Sequence, residues 1–267
     1  MPQPPVCRNI LTMKINIITL GCSKNTVDSE NLASALRAAG HTVHFDRQAN
    51  DCDTTIVNTC GFIGDAKEES INAILQQVAV KTRGRKARRL IACGCLVERY
   101  RDELQQEMPE VDAWFGTHQW NDIIQALASP ATHHAIPSTL PRQLSTPPHY
   151  AYLKIAEGCN RTCSYCAIPL IRGAHKSRPM DDLVAEARQL VSQGVKELIV
   201  ISQDTTYYGL DLYGKRCLAQ LLERLSRVDG IEWLRIHYSY PASFPEDVLD
   251  QMASNPKVCR YMDIPLQ

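Results

Sequence analysis

Apolar residues in this chain recur with two periods, and the two alternate along most of its length. Met13-Lys-Ile-Asn-Ile-Ile-Thr-Leu20 reads as a first strand, apolar enough to be buried on both faces. A polar turn follows, then a helical pattern over about 29–39, closed by Gly40. Residues 42–45 and 54–57 predict two more strands, and a long amphipathic helix is expected over about 66–80. Residues 90–93 predict the next strand. A helix over about 97–107, an edge strand near 113–115 and a helix near 121–128 complete this part. Such alternation predicts a parallel sheet with helices on its faces.

Residues 1–12 carry three prolines and no periodicity, and are expected to form an extension without fixed structure. The first domain is then expected to span 13–128. Residues 129–149 hold five prolines, the adjacent His133 and His134, and little apolar pattern, and read as a linker or surface loop. His133 and His134 are read as solvated loop side chains in preference to metal ligands.

The alternation then resumes. Strands are expected at 150–156, 197–201, 233–237 and 261–264, with helices near 181–193, 218–227 and 245–252. Repeats of this length suggest a (β/α) barrel, whose active sites sit at the carboxyl ends of the strands. About four strands are too few to close one. The second domain, 150–267, is therefore expected to be an incomplete barrel, the chain a fragment, and its unpaired sheet edge a source of aggregation or partner dependence.

Composition narrows the class. The content is 44% hydrophobic and 22% charged, as in a soluble globular protein, and the formal net charge is zero. Bulk electrostatics thus favour neither nucleic acid nor membrane. No apolar run reaches the length of a membrane span, and Met1-Pro-Gln-Pro-Pro5 is no signal peptide. Eleven cysteines in such a chain argue for a reducing, cytoplasmic setting and metal ligation over disulfides.

Three of those cysteines stand at C-x3-C-x2-C in Cys159-Asn-Arg-Thr-Cys163-Ser-Tyr-Cys166, directly after the strand at 150–156 and Gly158. A closed structural zinc site wants four protein ligands, and His175 is the only near fourth. Three thiolates on a 4Fe–4S cluster leave one iron open for a ligand. Zinc and three inert core cysteines are the alternatives. The Asn, Arg, Thr and Ser between these cysteines do not make an apolar core.

This loop resembles the signature of radical S-adenosylmethionine (SAM) enzymes. The resemblance implies that the amino and carboxylate groups of SAM chelate the open iron, and that Tyr165 packs near the adenine. Gln203-Asp204 ends the following strand. In radical-SAM folds that strand end contacts the methionyl amino group, which assigns Gln203; a strand cap touching only water is the alternative.

Cys22, Cys60 and Cys95 each lie just past the carboxyl end of a predicted strand, beside Gly21, Gly61 and Gly94. In an open parallel sheet those ends border one crevice, so three cysteines far apart in sequence can meet. Cys52 and Cys93 compete for the same role, although Cys93, inside its strand, is expected in the core.

Thr19-Leu-Gly-Cys22-Ser-Lys-Asn-Thr-Val-Asp-Ser-Glu30, Asn58-Thr-Cys-Gly-Phe-Ile63 and Gly94-Cys-Leu96 look like the amino-terminal domain of the radical-SAM methylthiotransferases. Gly-Cys-x-Lys-Asn with Val-Asp-Ser-Glu, together with Ala66-Lys-Glu-Glu-Ser70, resembles the RimO-type branch, which modifies an aspartate of ribosomal protein S-twelve. The resemblance covers about residues 13–267. It implies an α/β chain with a flavodoxin-like parallel-sheet domain followed by a partial radical-SAM barrel. It implies two 4Fe–4S clusters, one on Cys22, Cys60 and Cys95 and one on Cys159, Cys163 and Cys166, with SAM bound at the second. The partners implied are ribosomal protein S-twelve or the small ribosomal subunit, and an electron donor of flavodoxin or ferredoxin type. No sulfur donor is assigned. The end of the barrel and the family's small carboxyl-terminal β-barrel have no counterpart here.

An aspartate β-carbon offers neither an acidic proton nor a leaving group, so radical chemistry carried by the clusters and SAM is the expected route, with no catalytic side chain assigned. A transfer-RNA adenosine methylthiotransferase of the MiaB type, a non-catalytic iron–sulfur protein and a zinc-stabilised ribosome-binding protein are the rival readings. The basic run Lys81-Thr-Arg-Gly-Arg-Lys-Ala-Arg-Arg89 reads as a solvated loop at the amino ends of the strands, with ribosomal RNA contact as the alternative.

Overall fold

A computed structural model of the protein describes residues 12–46, 51–84, 88–127 and 140–264. Most of the 1–12 extension, the pair His133 and His134, and the centre of the basic run lie outside the described residues.

The first domain runs β1 (Lys14–Thr19), α1 (Ser23–Ala38), β2 (Thr42–Phe45), β3 (Thr54–Thr59), α2 (Gly64–Arg83), β4 (Arg89–Gly94), α3 (Cys95–Glu107), β5 (Ala113–Phe115) and α4 (Trp120–Leu127). Its five strands are all parallel, in the order β2-β1-β3-β4-β5. That is the flavodoxin-like doubly wound order, with its switch point between β1 and β3. The alternating residues of β1 and β3 feed two cores. Ile15, Ile17 and Ile56 pack with α1 and α4 on one face, and Val57 of β3 and Ala92 of β4 with Ile74 of α2 and Leu96 of α3 on the other. Every residue of β3 is buried, the polar Thr54, Thr55, Asn58 and Thr59 included, as befits a central strand covered on both faces.

The second domain runs β6 (Tyr150–Lys154), β7 (Ala156–Glu157), α5 (Ile168–Arg172), β8 (Lys176–Ser177), α6 (Met180–Ser192), β9 (Glu197–Ile201), a 3-10 turn (Thr205–Tyr207), α7 (Leu210–Tyr213), α8 (Leu218–Ser226), β10 (Trp233–Ile236) and α9 (Glu246–Ser254). Here β6, β9 and β10 are parallel and stand side by side in chain order, with α6 and α8 as the intervening crossovers. Sequential neighbours are what a (β/α) barrel needs, in contrast to the switched order of the first domain.

Two expectations are corrected. No strand forms at 261–264. The chain touches β10 through a single parallel bridge, Leu234 to Val258, and Asp263 is instead held to the loop after β10, accepting from the Tyr238 and Ser239 amides at 2.8 and 2.9 Å. The first helix also begins six residues early, at Ser23, because its polar first turns are buried against the second domain instead of facing water.

Residues 140–149 stitch the domains together. Arg142, 3% exposed, pairs with Glu30 on α1 at 3.1 Å and Glu186 on α6 at 2.8 Å. Its guanidinium also donates to the Tyr152 carbonyl of β6, and Arg178 donates to the Lys154 carbonyl. Backbone groups of β6 thus receive side-chain donors.

Candidate functional site

The first cysteine set is built by three neighbouring strands. β1 ends at Thr19, Gly21 turns the chain with φ +87°, and Cys22 caps α1. β3 ends at Thr59, and the Cys60 that follows is clamped by Ser70 of α2. Its amide donates to the Ser70 hydroxyl at 2.9 Å, and that hydroxyl donates back to the Cys60 carbonyl at 3.0 Å. β4 ends at Gly94, φ +94°, and Cys95 opens α3. The three thiols therefore sit over the carboxyl ends of β1, β3 and β4. The glycines let the turns close. A Cβ on Gly21 would lie 2.7 Å from the Cys60 sulfur, and one on Gly94 would strike the Asn58 side chain and lie 2.8 Å from the Thr59 carbonyl oxygen.

Cys60 and Cys95 are buried and Cys22 half-buried. Burial pushes the Cys60 thiol up, and Cys22 adds to this. Burial pushes Cys95 up to about 11, against the pull of Arg172, with Cys22 and Cys60 raising it further. The three thiols thus feel one another, in a place where a free thiolate is costly and a metal would draw the protons off. Two of them stand at helix N-termini, where partial positive charge favours an anion. Among the described residues no three such side chains close to metal-ligand spacing. The fit rests on soft thiol donors, crowding by glycine and shared burial, and those suit an iron–sulfur cluster. The rivals separate: Cys93 lies wholly in the core, and Cys52 precedes β3, at the opposite end of the sheet.

The second set is built locally. The antiparallel pair β7 and β8 forms the base of the loop, matching Ala156 with Ser177 and Glu157 with Lys176. Gly158, φ +75°, lets the two limbs touch, since a Cβ there would strike the Ala174 carbonyl. The Cys159 amide donates to the Gly173 carbonyl at 3.0 Å, and the Cys166 amide to that of Cys163 at 3.0 Å. Arg161 extends from the loop to Asp204 at 2.9 Å and lies 4.0 Å from the Tyr240 ring centre. Cys159 is buried, its thiol pushed up by that burial; Cys163 and Cys166 are half-buried.

All three cysteines line one cleft with Tyr165 and Gln203, and Phe62 of the first domain completes a wall. Tyr165 is 61% exposed. The Gln203 amide donates to Glu157 at 2.7 Å, and its buried Oε1 has no partner. An orphaned acceptor in a cleft suits a ligand that brings its own donor.

Sequence reasoning missed what lies between the two sets. Arg172, at the end of α5, pairs with Asp28 at 2.7 Å and Glu157 at 3.2 Å, and donates to Asn25 at 2.6 Å and to the Cys95 sulfur at 3.3 Å. Lys154 pairs with the same two carboxylates. Burial alone would raise the Glu157 carboxyl, but Lys154 and Arg172 hold it well below the usual carboxylate range. Lys24, beside Cys22, lies 3.1 Å from the ring centre of Tyr238. The available signal was Lys154 within an apolar strand and three charges, Lys24, Asp28 and Glu30, in the first turns of α1.

The basic run is partly spent within its own domain: Lys81 pairs with Asp112 at 2.6 Å and Arg89 donates to the Ala126 carbonyl at 2.7 Å.

Residues 14–116 match the uncharacterized protein family UPF0004, and residues 153–267 the radical SAM superfamily. The chain is 53% identical over 254 residues to a ribosomal protein uS12 methylthiotransferase RimO of Porphyromonas gingivalis, covering 95% of this chain and 58% of that protein. It is 54% identical over 255 residues to the protein of that name from Flavobacterium johnsoniae, covering 95% of this chain and 57% of that protein. It spans somewhat over half the length of these relatives. Among solved structures it resembles the radical S-adenosylmethionine methyltransferase TsrM from Kitasatospora setae, with a TM-score of 0.60 at 13% identity, over 90% of this chain and 57% of that one. That likeness bears on the fold alone.

Proposed function

We infer that this chain, which belongs to the radical-SAM methylthiotransferase family, works in the addition of a methylthio group to the β-carbon of an aspartate in ribosomal protein S-twelve. The observation that carries the reading is the joining of two thiol sets across one interface. Phe62, next but one after Cys60, lines the cleft of Cys159, Cys163 and Cys166, while Arg172, from the far side of that loop, touches Cys95. Sulfur insertion needs two such centres facing one substrate, and a single-centre enzyme has no use for the first set.

In this reading Cys22, Cys60 and Cys95 hold one 4Fe–4S cluster and Cys159, Cys163 and Cys166 a second, which takes SAM. When bound, the clusters and SAM supply a carbon-centred radical and a methylated sulfur, chemistry that no side chain provides. The protein's own residues do the rest. Arg161, Asp204 and the β7–β8 pair fix the loop. The unpartnered Gln203 oxygen would accept from the SAM amino group, and Glu157 fixes that amide by taking its N–H. Tyr165, which lines the cleft with Phe62 and Tyr240, would pack against the adenine. An electron donor of flavodoxin or ferredoxin type supplies the reducing equivalents. The setting is cytoplasmic, and among the described residues no helix is long and apolar enough to cross a membrane.

The test is anaerobic reconstitution with iron and sulfide, then incubation with SAM, a reductant and either ribosomal protein S-twelve or transfer RNA. The expected result is 5′-deoxyadenosine together with a methylthio mass gain on one aspartate. Modification of adenosine in the transfer RNA alone would overturn the substrate assignment. Absence of 5′-deoxyadenosine from a protein loaded with two clusters would overturn the radical-SAM assignment.

A further inference from the structure

We propose that Arg172 is a positioning residue for the first cysteine set: delivered from the radical-SAM domain, it holds the Cys95 sulfur by an N–H hydrogen bond and sets the reduction potential of the cluster bound there. The inference rests on the reading that Cys22, Cys60 and Cys95 hold an iron–sulfur cluster.

Arg172 has 2% of its side chain exposed and crosses the domain interface. One terminal nitrogen reaches Asp28 and Glu157, and the other Asn25 Oδ1 and Cys95 Sγ. Asn25 is itself fixed, because its amide donates to the Leu20 carbonyl at 2.8 Å and the Thr59 carbonyl at 3.1 Å. The planar fork therefore has one orientation, and one of its N–H groups meets the sulfur. Lys154 also pairs with Asp28 and Glu157, so two cations face two carboxylates and the network is balanced. Without Arg172, Asp28 and Glu157 would share Lys154 alone, leaving one negative charge of the network uncompensated.

Hydrogen bonds to cluster sulfurs and net charge are the two protein levers on cluster potential. Arg172 applies both. Its guanidinium stabilises the added electron of a reduced cluster, so its loss makes reduction harder. It also ties the first cluster to the loop of the second, since Glu157 bonds both Arg172 and Gln203. A purely adhesive Arg172, gluing the domains through Asp28, would change stability and leave the potential alone.

The test uses the full chain with Cys159, Cys163 and Cys166 replaced by Ala, so that only the first set is loaded. Iron and sulfide are added anaerobically, and reduction is followed by electron paramagnetic resonance in a redox titration. Arg172→Met should lower the ratio of reduced to oxidised cluster about tenfold at fixed ambient potential, about 59 mV for a one-electron couple. Arg172→Lys should recover part of the shift. Glu157→Gln, which removes a negative charge without touching the sulfur, should shift the potential the other way. Circular dichroism reports folding. A folded Arg172→Met chain that loses its iron, with recovery in Arg172→Lys, also supports positioning; iron loss in both variants overturns it. A folded, loaded Arg172→Met chain titrating with the parent overturns the proposal. If Arg172→Met does not fold, Glu157→Gln decides: an upward shift supports the proposal and an unchanged potential overturns it. If the parent itself takes up no iron, the cluster reading fails first, and the Arg172 role falls with it.

Discussion

The two cysteine sets gather three thiols each by opposite routes. Cys159, Cys163 and Cys166 are brought together by eight residues of loop, closed at its base by β7, β8 and Gly158. Cys22, Cys60 and Cys95 are brought together by an entire parallel sheet, whose order puts the ends of β1, β3 and β4 side by side. The local set has two half-buried members and lines an open cleft; the assembled set is more deeply buried and takes a charged partner from the other domain. Failure should differ accordingly: damage to the carboxyl ends of the central strands costs both the fold and the first site, while damage to the loop costs the second site with less of the fold.

The sharpest contrast is between two glycines. Gly94→Ala places a Cβ against Asn58 and the Thr59 backbone at φ +94°. It is expected to destabilise the chain by about 3 kcal/mol or more, read as an earlier urea midpoint, and to abolish iron uptake by the first set. Gly158→Ala strikes Ala174 in the loop base and should lower iron uptake by the second set while leaving that of the first intact. Equal loss at both sites from either variant would break the distinction between a sheet-built and a loop-built site.

A middle-sized effect is expected at the interface between them. Asp28→Ala leaves Arg172 and Lys154 short of a buried partner, and should cost about 3 kcal/mol in a urea titration. The exposed pair Lys196–Glu232, tested in the same way, should cost less than about 1 kcal/mol. If Asp28→Ala were as mild, the domains would be held by something other than this network.

The smallest effect is a pH slope. Burial lowers the pKa of His41, whose Nδ1 accepts from the Met13 amide at 3.4 Å. Its folded value lies below that of the unfolded chain, so its contribution is complete above about pH 6.5 and is lost as the pH falls below that. His41→Gln should flatten the fall in first-domain stability over that range. An unchanged slope would place the acid sensitivity elsewhere, with the buried His175 and the half-buried His237 of the second domain the next to test.

Much of this was legible in the chain. The strand positions came from runs such as Ile15 to Leu20, and the strand ends then located Cys22, Cys60 and Cys95 without any three-dimensional information. The loop cysteines were legible from spacing alone. The opening of α1 was not: Lys24, Asn25, Asp28 and Glu30 look like a solvated turn, but Asn25 is held by the Leu20 and Thr59 carbonyls of its own domain, and Asp28 and Glu30 by cations that follow it in the chain. Arg142 was hidden for the same reason, lying in a proline-rich stretch that reads as loop until Glu30 and Glu186 are seen around it. Arg172 resembles any cation at the end of a short helix. Long-range charge pairing leaves no periodicity, so the interface joining the two sites is the part that pattern could not supply. The strand expected at 261–264 failed conversely: its apolar residues fit a strand, but Asp263 is bound to the turn at Tyr238 and Ser239.

We propose that one chain holds two thiolate-bound clusters. Iron and acid-labile sulfide per chain, measured after anaerobic reconstitution of the parent and of a Cys22, Cys60, Cys95 triple-alanine variant, test it most directly. About eight irons falling to about four is the predicted result. About four in both would contradict it, leaving a single-cluster protein whose first cysteine set has another use.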